Sequence, residues 1–109
     1  MTANASEEKN FDTTIADTIL EQMGGENRLV GFIGAKIMKS KISVMMSFME
    51  GRDGINACQV KYDEGQDLYT MTFYKLWGTK LGIIKEYDQV FCDQLVELFE
   101  ETTGLMLHF

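Results

Sequence analysis

The sequence predicts an α+β domain: an antiparallel sheet of about five strands, flanked by an N-terminal and a C-terminal helix packed on one of its faces. Three observations carry that expectation. Apolar residues near both ends of the chain recur at helical spacing. The middle switches to an alternation of period two, the mark of a half-buried strand. Short Gly- and Asp-containing turns separate the alternating runs, so successive strands should return antiparallel. Hairpin-connected strands between helices belong to the α+β class.

In chain order, residues 1–11 are polar and without periodicity and are expected to be a disordered tail; residues 12–109 are expected to form one domain. Asp12 offers an N-cap. Ile15, Ala16, Ile19, Leu20 and Met23 then form an apolar stripe that Gly24-Gly25 ends. Leu29 to Ala35 is a short apolar run interrupted by Gly31 and Gly34. It is expected to be the first strand, because two interior glycines would cost a helix about 1 kcal/mol each.

Ile42, Val44, Met46 and Phe48 alternate with Ser43, Met45, Ser47 and Met49, and the turn Gly51-Arg52-Asp53-Gly54 follows. In the return strand Cys58, Val60 and Tyr62 share one face and Gln59 and Lys61 the other. After the polar turn at residues 63–67, Leu68 to Trp77 is rich in β-branched and aromatic residues. Tyr69, Met71 and Phe73 share one face there, and Thr70, Thr72 and Tyr74 the other. Leu81 to Tyr87 reads as one more short strand. The final helix is expected from Tyr87 to Gly104, capped by Asp88, with Phe91, Leu95, Leu98, Phe99 and Thr102 on its buried face.

The net charge of -7 argues against a generally basic nucleic-acid binder, but the charge is uneven. Residues 1–26 carry -5, residues 27–85 carry +4 and residues 86–109 carry -6. The basic middle, interleaved with Phe48, Tyr69, Tyr74 and Trp77, resembles in composition the sheets that stack and neutralise single-stranded nucleic acid. The acidic ends allow a different reading, a carboxylate surface that imitates DNA. No apolar run is long enough to span a membrane, and the N-terminus has no signal-peptide core, so an intracellular, cytoplasmic location is expected. Cys58 and Cys92 are too few for a disulfide framework or zinc site and are expected to pack as reduced apolar residues.

Catalytic motifs are absent from this reading. Gly31-Phe32-Ile33-Gly34 has the bare spacing of a KH loop, but its inner pair is apolar and belongs in a core. Asp63, Glu64 and Asp67 lack the further ligands and terminal Glu of a calcium loop and read as a solvated turn. His108, the one histidine, lies next to the chain end without a positioned partner. The expectation is therefore a protein that is not an enzyme and carries no cofactor and no metal.

Several short strings run in parallel with a known group of sequences. They are residues 14–25, Arg28-Leu29-Val30, Gly34-Ala35-Lys36, Gly54-Ile55-Asn56, Asp67 to Thr70, Asp93-Gln94-Leu95, Phe99-Glu100 and Thr103-Gly104-Leu105. In these strings and their layout the chain resembles a family of short uncharacterised proteins from phages and mobile elements. The resemblance covers most of the chain from Asp12 onward. It implies a phage or mobile-element setting and brings with it no activity and no site residues.

The functional expectation is a small binding or accessory module acting by protein–protein interaction, with an unknown protein partner or a homodimer. Nucleic-acid binding through the basic sheet region is the alternative, and DNA mimicry a further one. If both helices cover one sheet face, the other face is open to a partner. Met45, Met49, Lys61, Thr70, Thr72 and Tyr74 are the residues expected there. Methionine suits such a surface because its unbranched side chain adapts to what it meets.

Overall fold

The computed structural model describes residues 12–107, so the expected N-terminal tail and His108 lie outside the described residues. Helix α1 spans Thr14–Gln22 and buries Ala16, Ile19 and Leu20. Asp12 Oδ1 accepts hydrogen bonds from the Thr14 backbone N–H at 2.9 Å and from its hydroxyl at 2.6 Å, satisfying one of the orphan donors at the helix start. Gly24 and Gly25, at φ 107° and 100°, turn the chain into a second helix.

That helix, α2, spans Glu26–Ile33, where a strand was expected. Only one of its two glycines is interior. Gly34 sits just past the end at φ 67°, the left-handed conformation that commonly terminates a helix. Gly31 remains inside and faces open space, so its cost is one residue's conformational entropy. Leu29 and Ile33, four residues apart, are both fully buried, and that burial outweighs the glycine.

The sheet follows as a meander of five antiparallel strands in sequence order: β1 Lys36–Lys39, β2 Ser43–Ser47, β3 Ala57–Asp63, β4 Leu68–Trp77 and β5 Lys80–Val90. The number of strands matches the expectation, but the first strand starts later than expected, at Lys36. A short 3-10 turn, Arg52–Gly54, precedes β3, and Asp53 in it takes φ 59°. Strand β5 is irregular against β4 at two places. Ile84 is an extra residue between the pairs Tyr74–Ile83 and Phe73–Lys85, and a second shift falls between the pairs Met71–Tyr87 and Tyr69–Val90. Gln89 lies in this second irregularity at φ 55°.

The expected final helix is also displaced. Tyr87 to Val90 belong to β5, because Val90 still pairs with Tyr69, and Asp88 lies inside that strand and caps nothing. A 3-10 turn, Cys92–Gln94, leads into helix α3, Leu95–Thr103. The Gln94 side chain accepts from the Phe91 N–H at 3.0 Å and the Gln94 N–H donates to the Phe91 carbonyl at 2.9 Å, which fixes the turn. Phe91 is exposed, while Leu95, Phe99 and Thr102 are buried as expected. Gly104, at φ 75°, ends the helix.

All three helices described here pack against one side of the sheet. Phe99 of α3 contacts the Phe73 ring at 6.1 Å between centroids, and the Tyr69 hydroxyl of β4 donates to Gln22 Oε1 of α1 at 2.8 Å. Lys39 Nζ bonds Asp17 Oδ1 at 2.8 Å and ties β1 to α1. One continuous apolar cluster fills the layer between, running from Ile19 and Leu29 through Val44, Val60 and Met71 to Phe99. Cys58 is in it, and burial pushes its thiol pKa up; Cys92, expected to be packed, is exposed.

Candidate interaction face

The strand registers assign the other sheet face row by row. Met38, Met45, Gln59, Thr72 and Glu86 form one row across all five strands. Ser43, Lys61 and Thr70 form a second. Ser47, Ala57, Tyr74 and Ile83 form a third. These positions alternate with those of the apolar cluster; Ser43, Ala57 and Thr72 among them are buried between their neighbours, and no helix among the described residues covers the face.

This face holds a depression of about 580 Å³, lined among others by Gln59, Lys61, Thr70, Thr72, Tyr74 and Glu86. Within it the Thr72 hydroxyl donates to Glu86 Oε2 at 2.7 Å. Thr72 is itself buried, so the bond satisfies a hydroxyl that would otherwise be costly to shield from water. Four of the six residues expected on the partner face, Lys61, Thr70, Thr72 and Tyr74, are thus brought together. Met45 lies on the same face beside Gln59, outside the lining. Met49 is separate. Strand β2 ends at Ser47, and the exposed Met49 follows it, its backbone N–H donating to the Ile33 carbonyl at 3.1 Å.

At one end the face runs onto a two-stranded arm. Beyond Asn56, strands β4 and β5 pair only with each other, through Lys75–Gly82, Leu76–Leu81 and Trp77–Lys80. The Asn56 side chain ties the base of the arm to β3: its amide donates to the Leu76 carbonyl at 3.0 Å and its oxygen accepts from the Leu76 N–H at 2.7 Å. Tyr74, Leu76, Leu81 and Ile83 share the open face, and Leu81 and Ile83 are 48% and 62% exposed. On the reverse side Trp77 lies against Gly82, and the Lys75 ammonium sits 5.9 Å from its ring centroid. Sequence reasoning placed Leu81 in a strand but left it and Ile83 off the partner face. Pairing the two strands across Gly78-Thr79 would have found them.

The cations of the basic middle are spread over the molecule. Lys39 is bonded to α1, Arg52 donates to the Glu101 carbonyl at the end of α3, and Lys85 lies 5.8 Å from the Tyr87 ring centroid on the helix-bearing side. On the open face Lys61 shares the depression with Asp63, Glu64 and Glu86. Among the described residues, no cluster of His, Cys, Asp and Glu could hold a metal ion, and no helix is long and apolar enough to cross a membrane.

Compared with protein-family models, curated proteins and solved structures, the chain matches none.

Proposed function

We propose that this chain is a small protein-binding accessory module that recognises its partner through the open sheet face and the β4–β5 arm. The observation that carries the reading is the arm. Tyr74, Leu76, Leu81 and Ile83 stand side by side, exposed or half-exposed, next to a polar depression. Contiguous apolar surface rimmed by polar groups is the usual composition of a protein interface. The phage or mobile-element setting rests on the resemblance of the short sequence strings, and a cytoplasmic location fits the two unpaired cysteines.

Nucleic-acid binding is less well supported, because the one lysine in the depression is offset by three carboxylates. The test is affinity capture from host lysate with the wild-type chain, Tyr74→Ala, Leu76→Lys, and Glu97→Lys on α3 as a control. A specific partner retained by wild type and control, and lost with both open-face variants, supports the proposal. Capture insensitive to Tyr74 and Leu76, or a salt-sensitive gel shift with nucleic acid in place of protein capture, overturns it.

A further inference from the structure

We infer that the outer edge of β5 pairs antiparallel with β5 of a second copy of this chain, about a twofold axis near Ile83 and Ile84. The inference rests on the protein-binding reading and names one occupant for the arm.

Strand β5 closes the sheet order, so among the described residues one whole edge of its backbone has no strand beside it. Such an edge is a template for another strand. It is eleven residues long, about twice the usual strand length. The opposite edge, β1, is only four residues long and is guarded by Lys36 and Lys39. Short charged edges of that kind resist strand addition. Strand β5 instead exposes Leu81, Ile83 and Ile84 in its first half.

Charge selects the partner and its direction. Before the axis β5 carries Lys80, and after it Lys85, Glu86 and Asp88, a segment of net negative charge. Antiparallel self-pairing lays Lys80 of one copy along the Glu86–Asp88 segment of the other. Parallel pairing would lay like charges together, which costs stability. The same local complementarity offsets the repulsion expected between two chains of net charge -7. A twofold axis perpendicular to the sheet leaves both helix layers on one side. The two open faces, each with its Tyr74 and Leu76, then join into one surface.

Sedimentation of the purified full chain tests this. The expected result is a concentration-dependent dimer. Lys80→Glu should weaken it about tenfold, and Lys80→Glu combined with Asp88→Lys in the same chain should restore it. Only pairing of β5 with itself predicts that rescue. A second readout uses the exposed position 83: in a Cys92→Ser background, Ile83→Cys should be cross-linked between copies by a short bismaleimide. A chain that stays monomeric at about 100 µM overturns the inference. So does a dimer indifferent to the charge swaps, or one without the cross-link. A monomer that still captures a partner through Tyr74 and Leu76 overturns the dimer alone and leaves the open-face reading standing.

Discussion

The Phe99 ring meets Phe48 edge-on, with 5.2 Å between centroids and 69° between planes. One ring comes from the last helix and the other follows β2, so the contact joins the C-terminal segment to the early half of the sheet. Phe99 also reaches Phe73 and is fully buried. Phe99→Ala should cost about 3–5 kcal/mol, the range for truncating a buried aromatic. A denaturant melt showing a loss well under about 1 kcal/mol would mean that this junction does not carry the core.

Two glycines should respond to alanine with opposite signs. Gly31 lies in the interior of α2, and a methyl there meets nothing within 4 Å. Gly31→Ala should stabilise by about 0.4–1 kcal/mol by restricting the unfolded chain. Gly51 has an ordinary negative φ, but a Cβ on it would lie 2.4 Å from the Thr103 carbonyl oxygen. Gly51→Ala should therefore destabilise by about 1–3 kcal/mol, as overpacking does, because backbone has to move. Thermal melts of the pair check the signs; equal signs would contradict the assigned environments.

The Tyr62 hydroxyl donates to Asp67 Oδ1 at 2.6 Å. That hydrogen bond, and after it desolvation, pushes the phenol pKa up to about 12. A raised pKa favours the protonated form in the folded state. The associated stability is fully present below the unfolded tyrosine value and is lost as pH rises from there through about 12. Asp67→Asn keeps a residue that tolerates the positive φ of 56° and removes the charge. Ultraviolet titration should show one tyrosine moving down toward the ordinary value. An unchanged titration curve would rule out the Asp67 bond as the cause.

Thr72 and Glu86 separate stability from recognition. Thr72→Val removes the hydroxyl that bonds Glu86 and leaves an exposed carboxylate that water can solvate. Its cost in a melt should stay under about 1 kcal/mol. If the depression is part of the partner surface, the same change should weaken capture, since it frees Glu86 and removes a positioned donor. A large stability loss would assign the pair to the framework instead.

Much of this architecture was legible in the residues. Period-two alternation assigned Val44, Met46, Cys58, Val60, Met71 and Phe73 to the buried side of the sheet, and the helical spacing of Leu95, Phe99 and Thr102 identified the last helix. The two displaced elements failed for definable reasons. In α2 a local glycine penalty was set against burial of Leu29 and Ile33, which only tertiary contact supplies. At Tyr87 to Val90 the apolar spacing fits a helix as well as a strand, and the pairing of Val90 with Tyr69 decided it.

The candidate site divides in the same way. Lys61, Thr70, Thr72 and Tyr74 could be placed on one face because side-chain direction along a strand is a local property. The sequence by itself determined the α+β class, the antiparallel strand order and which face of each regular strand is apolar, since these follow from periodicity and turns. Tertiary structure alone decided the rest. Long-range pairing extended β5 and irregularly aligned it with β4, brought Glu86 beside Thr72, and set Leu76, Leu81 and Ile83 on a projecting arm. Those contacts join residues on different strands, and no window of sequence contains both partners together with the register that aligns them.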